Sequence, residues 1–207
     1  MRIFGIDPGS DCTGYGCVET DGSRHRIVVC GGIRTPASTS FPDKLLHIHR
    51  TLAALIGDTR PDCVAIESLF HAVNVRSALK LGHARGVAML AAVEAGVPVM
   101  EYTPAAIKRA VVGYGRAEKH QVQHMVKLML RLPAVPTPHD AADALAVAIC
   151  HVHAHATSPA RIASAMPART KATSWRTYRP AFAPEALRQG KPPSAPAALR
   201  RGKPARS

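Results

Sequence analysis

A chain of 207 residues, 46% apolar and 4% aromatic, holds enough material for one α/β domain with a sizeable core and no room for a second of equal size. No apolar run nears the roughly 18 residues of a membrane span, and the N-terminus enters a strand rather than a signal peptide; five cysteines without C-x-x-C spacing fit free thiols of a reducing cytoplasm better than disulfides or metal ligands. The net charge of +13 is lopsided: from residue 156 onward eleven basic side chains face Glu185 alone, so ten of the thirteen charges sit in a Pro-rich tail that lacks the apolar surface to fold. The domain is therefore expected at 1–155 and a disordered tail at 156–207.

Along the domain, residues 1–7, 13–20 and 26–34 read as three strands, with Asp21-Gly22 the clearest hairpin turn. Phe41-Pro42-Asp43 opens a helix to about residue 57, whose Leu45, Leu46, Ile48, Leu52, Leu55 and Ile56 fall at helical spacing and are expected to lie on the sheet. Arg60-Pro61 ends that connection. A strand ending at Glu67, a helix over about 76–95 and a strand over 97–102 follow, then helices near 104–112, 118–131 and 139–154. Strand–helix–strand alternation added to a hairpin implies a mixed five-stranded sheet flanked by helices, part antiparallel and part parallel with right-handed crossovers. His151, His153 and His155 alternate at the end of the last helix; since alternation does not put three imidazoles on one face, they are expected to form a frayed polar terminus rather than a metal site.

Four carboxylates stand out against this frame. Asp7 closes the first strand, Glu67 closes the strand Cys63-Val64-Ala65-Ile66, and Asp140 and Asp143 lie three apart at the start of the last helix. Taken singly, Asp7 could be a turn former and Asp140 a helix cap. Residues three apart share a helical face, however, so Asp143 points with Asp140 toward the apolar side of Leu145 and Ala146. Carboxylates converging at strand ends are costly to bury unpaired. Mg2+ prefers oxygen ligands and relieves their repulsion, and in pairs about 4 Å apart clamps both oxygens of a phosphodiester displacement.

The runs Gly5-Ile6-Asp7-Pro8-Gly9-Ser10 with Thr13-Gly14-Tyr15-Gly16, Ala65-Ile66-Glu67, Ser77-Ala78-Leu79-Lys80-Leu81-Gly82, Ala84-Arg85-Gly86-Val87-Ala88, Ala117-Glu118-Lys119 with Gln121-Val122-Gln123-His124-Met125-Val126, and Asp140-Ala141-Ala142-Asp143-Ala144-Leu145-Ala146 resemble, in order over residues 1 to about 155, the RuvC-type Holliday junction resolvases. The resemblance implies an RNase H-like fold and a homodimeric, Mg2+-dependent endonuclease, with Mn2+ as a possible substitute. It further implies paired nicks in opposed strands of four-way junction DNA during recombination and repair, with the RuvA and RuvB branch-migration proteins as partners. Asp7, Glu67, Asp140 and Asp143 would hold two ions per site, and Lys119, with Lys108 on the preceding helix, would face the scissile phosphate.

Two further features bear on that picture. Gly82 and Gly86 are four apart within one helix, where glycine costs about 1 kcal/mol relative to alanine, so their face suits close approach by another backbone, either of the same subunit or, as the resemblance implies, of a twin helix. Phe70, in the polar run Phe70-His71-Ala72-Val73-Asn74, falls where the family places an aromatic wedge; stacking on an unpaired base would contribute about 1–3 kcal/mol. Val73 departs from the family, which often has lysine there, and Arg76 or the tail is expected to supply the missing phosphate contact. The tail is either a solvated extension or an accessory arm whose attraction for DNA falls with salt. Two other functions compete: Asp-Pro-Gly with Thr-Gly-Tyr-Gly also resembles the phosphate loop of actin-like kinases, which need a duplicated domain, and a catalytically silent junction-binding protein would not need all four acids.

Overall fold

The computed structural model describes residues 1–68 and 74–156. The described residues form five strands and five helices, three strands first and three helices last: β1 (Arg2–Asp7), β2 (Cys12–Thr20), β3 (His25–Arg34), α1 (Phe41–Thr59), β4 (Cys63–Glu67), α2 (Val75–Glu94), β5 (Val99–Tyr102), α3 (Pro104–Val112), α4 (Lys119–Met129) and α5 (His139–Ala156). The strands form one mixed sheet in the order β3-β2-β1-β4-β5. The β1–β2 and β2–β3 pairs are antiparallel, whereas β1–β4 and β4–β5 are parallel. Strand β1 therefore sits centrally, where the hairpin half meets the crossover half.

Side-chain alternation along these strands builds two cores of different texture. Phe4 and Ile6 of β1 and Val64 and Ile66 of β4 face α1 and α2, packing on Ile48, Leu52 and Ile56 and on the alanines Ala84, Ala88, Ala91 and Ala92. Ile3 of β1 and Cys63 and Ala65 of β4 face the opposite layer of α3, α4 and α5, with Ile107, Val126, Leu145 and Ile149. Of the six α1 residues expected on the sheet, Leu46 is exposed; it lies on the solvent flank of a helix whose buried stripe runs through Ile48, Leu52 and Ile56.

On the second face, glycines set the distance between layers. A Cβ on Gly5 would overlap the Ala144 carbonyl oxygen, one on Gly14 the Asp140 carbonyl oxygen, and one on Gly16 would come within 2.7 Å of Leu145. Helix α5 thus lies with its backbone directly on β1 and β2, closer than a side chain at those positions permits.

Local signals fix the helix ends. The Ser40 hydroxyl accepts from the Asp43 amide at the start of α1, with Pro42 in the first turn. Arg60 closes α1 in the left-handed region at φ 46°. Asn74 caps α2 by accepting from the Arg76 and Ser77 amides, and Glu118 and Gln121 form a reciprocal capping box on α4.

The end of α5 departs from the expected frayed terminus. His151 is buried, its Nδ1 hydrogen-bonded with the Tyr102 hydroxyl at 2.8 Å and the Cys63 thiol 3.9 Å away. His155, one turn on, lies against the His151 ring at 4.1 Å between centroids, and His153 Nδ1 bonds the Ala110 carbonyl. Three partners remote in sequence thus turn the alternating histidines into a packed edge of the core. The cysteines among these residues are all free, and burial pushes the Cys63 thiol up to about 12. No helix among the described residues is long and apolar enough to cross a membrane.

Candidate active site

Parallel pairing of β1 and β4 runs from Ile3 beside Cys63 to Ile6 beside Ile66, so the next residues, Asp7 and Glu67, end neighbouring strands side by side. Alternation points both toward the α5 layer. Because α5 rests on Gly5 and Gly14, its first turn brings Asp140 and Asp143 to that same edge. Asp7, Glu67, Asp143, Lys108 and Lys119 line a cleft of about 340 Å³, with Ile107 and Val122 as its apolar floor. Asp140 stands at the rim, paired at 3.7 Å with Arg34 at the end of β3.

The electrostatics are those of crowded like charges. Burial first, then the charges of Glu67, Asp143 and Asp140, push the Asp7 carboxyl up to about 8. Burial and Asp143 likewise raise Glu67, opposed by a hydrogen bond with Asp7. Lys119 answers part of this negative field. Its ammonium lies 2.7 Å from Asp143, and that bond holds the lysine above its ordinary value. Among the described residues no three acidic, histidine or cysteine side chains are already drawn around one point as a cage; two of the four acids are instead paired with cations, Asp143 with Lys119 and Asp140 with Arg34.

Lys119 opens α4 and Lys108 lies on α3, so both expected cations reach the cleft. Arg76, in the first turn of α2, does not line it. Phe70 and Val73 lie outside the described residues, as does the chain from 157 onward. Two arginines were not expected at the site, although Arg85 falls within one of the runs that carry the resemblance. Arg34 reaches Asp140 and donates to the Cys12 thiol at 3.4 Å, while Arg85 of α2 donates from Nε to the main-chain oxygen of Glu67 at 3.3 Å. Only the β2–β3 register, Cys12 opposite Arg34, would have brought the former near the site. A larger hollow of about 570 Å³ opens at the far end of the sheet beside Met1, Arg24 and Arg131, but its acids are already engaged: Glu19 by Arg2 and Arg26, Asp21 by the turn amides of Ser23 and Arg24.

Residues 3–151 match the family described as crossover junction endodeoxyribonuclease RuvC. The chain belongs to the RuvC family. It is 53% identical to the crossover junction endodeoxyribonuclease RuvC of Ruminiclostridium cellulolyticum over 155 residues, covering 75% of this chain and 93% of that protein. The Koribacter versatilis RuvC is 54% identical over 158 residues, covering 76% and 95%. Among solved structures, Thermus thermophilus RuvC in complex with Holliday junction substrate superimposes with a TM-score of 0.73 at 34% identity, covering 76% of this chain and 96% of that one. The mixed five-stranded sheet is thus the RNase H-like resolvase fold, and the nucleases of the family are metal-dependent.

Proposed function

We propose that this RuvC-family chain is a Mg2+-dependent endonuclease that nicks opposed strands of a four-way DNA junction as a homodimer. The observation that carries this is the meeting of Asp7, Glu67 and Asp143 with Lys108 and Lys119 in one cleft, with Asp140 at its rim. The donor set fits a hard divalent cation, since every candidate ligand is a carboxylate oxygen and Asp7, raised first by burial and then by the neighbouring acids, sits where such a charge would relieve both. Asp7, Glu67, Asp140 and Asp143 would hold a pair of ions, Mg2+ or in substitution Mn2+, whose chemistry would be to lower the pKa of a water so that it can be deprotonated for attack on the phosphodiester and to neutralise the leaving 3′ oxygen. Lys108 and Lys119 place ammonium groups on the cleft wall, attracting the phosphate and stabilising the charge that develops on it.

The homodimer is supported by α2. Val75, Leu79, Leu90 and Val93 are exposed along it, and an added Cβ on Gly82 or Gly86 meets nothing within 4 Å, so this small-residue face is not packed inside its own subunit. A twin helix related by a two-fold axis would cover it and set two sites against a nearly two-fold junction. A nuclease assay comparing a four-way junction with linear duplex tests the function. Paired, symmetric nicks confined to the junction and dependent on Mg2+ are expected; equal cutting of duplex, or cutting in excess chelator, would contradict it.

A further inference from the structure

We propose that Arg85 is a positioning residue for Glu67, a role that rests on the metal-site assignment above and extends it. Arg85 follows the buried Ala84 on α2, and its side chain is only 18% exposed. Its Nε donates to the main-chain oxygen of Glu67 at 3.3 Å, while its Nη2 pairs with the Glu101 carboxylate on β5. Glu67 lies opposite Tyr102 in the β4–β5 register, and the next amide, Ser68, donates to the Tyr102 oxygen at 2.8 Å. One guanidinium therefore ties together the last residue of β4, the neighbouring strand and the helix packed beneath them.

The chemistry of the clamp suits its place. Glu67 ends its strand buried in the cleft beside the like charge of Asp143, which makes a fixed strand end useful for holding its carboxylate there. Arg85 grips the carbonyl rather than the carboxylate, so the guanidinium itself takes up neither carboxylate oxygen. A planar guanidinium with five donors meets a carbonyl and a carboxylate at once in fixed geometry; a lysine ammonium is a point charge on a flexible stem and does not hold that pair of angles. The clamp also joins Glu67 to α2, the helix that carries the exposed apolar face.

The test measures Mn2+ binding to the full chain on junction DNA, by the electron-paramagnetic signal of free Mn2+, alongside the Mg2+ dependence of nicking, junction affinity and sedimentation. R85Q and R85K should each weaken Mn2+ binding about tenfold and raise the Mg2+ needed for half-maximal nicking by a similar factor, with nicking recovering at saturating metal. E101Q, which exchanges an exposed carboxylate for its amide and carries the same test if R85Q fails to fold, should shift both in the same direction by less. Junction affinity and dimerisation should stay at wild-type values. E67Q is the reference. If E67Q loses Mn2+ affinity while R85Q and E101Q do not, the positioning role is wrong and the site assignment stands. If R85K behaves as wild type, charge alone suffices and the clamp is wrong. If E67Q binds Mn2+ normally, Glu67 is not a ligand and both fall.

Discussion

The two faces of the sheet are built from alternate residues of the same strands, yet they solve different problems. Toward α1 and α2, Phe4, Ile6, Val64 and Ile66 present large side chains that hold the layers apart and fill the gap with apolar volume. Toward α5, β1 and β2 present Gly5, Gly14 and Gly16, and the helix descends until its backbone meets theirs. Strand β1 shows both within six residues, and its glycine face ends in Asp7. The difference teaches that stability and placement are separable here. Both faces bury apolar area, but the second also gives up side-chain volume at Gly5, Gly14 and Gly16 to bring Asp140 and Asp143 down beside Asp7 and Glu67.

Substitutions on opposite faces should therefore fail in opposite ways. Gly14→Ala puts a methyl group into the Asp140 carbonyl and lifts the first turn of α5; we expect nicking to fall about 100-fold in a protein destabilised by about 1–3 kcal/mol. Leu52→Ala, in the aliphatic core, should cost about 2–5 kcal/mol in urea unfolding and leave nicking by the folded fraction unchanged. Equal activity losses in the two variants would erase the distinction. On the outer side of α2, Gly86→Leu should shift sedimentation from dimer toward monomer and turn paired nicks in a supercoiled cruciform into single ones, with every acid still in place.

A smaller effect comes from the buried histidine of the α5 layer. Burial, then His155, holds His151 down to about 4 from 6.5. Below pH 6.5 the unfolded chain takes up a proton that the folded chain refuses, so the stability of this site is full above that pH and drains as pH falls toward 4. At pH 5 the loss amounts to about 2 kcal/mol. Raised carboxyls such as Asp7 gain stability over the same window, so the readout is a difference: in urea unfolding at pH 7 and pH 5 the wild type should fare about 2 kcal/mol worse on acidification than His151→Asn, and the same pH dependence in both would place the titration elsewhere.

What the sequence disclosed follows from the range of the physics. Period-two strands ending in Asp7 and Glu67, and a three-residue step from Asp140 to Asp143, are local patterns, and the order of elements around them was legible for the same reason. The purpose of Gly14 was not, because it depends on which distant helix lies over β2. His151 was misjudged because its Tyr102 and Cys63 partners come from strands that only the fold brings beneath it. Arg85 was invisible as a clamp, since its two acceptors lie 16 residues on one side, at Glu101, and 18 on the other, at Glu67. Leu46 satisfied the helical period yet sits one step off the buried stripe, a matter of helix rotation that spacing alone does not set.

The central claim, that strand-end and helix-start carboxylates form one metal-dependent site for cutting junction DNA, is tested most directly with Asp7→Asn. This exchange keeps the size of the side chain and removes the carboxyl group at the point where Glu67, Asp143 and Asp140 all act. Nicking of a four-way junction in Mg2+ and junction affinity should be measured on the same preparation. Cleavage falling to background while affinity stays within a few-fold of wild type is the expected result, since the cationic residues that attract DNA remain. Wild-type nicking by this variant would contradict it.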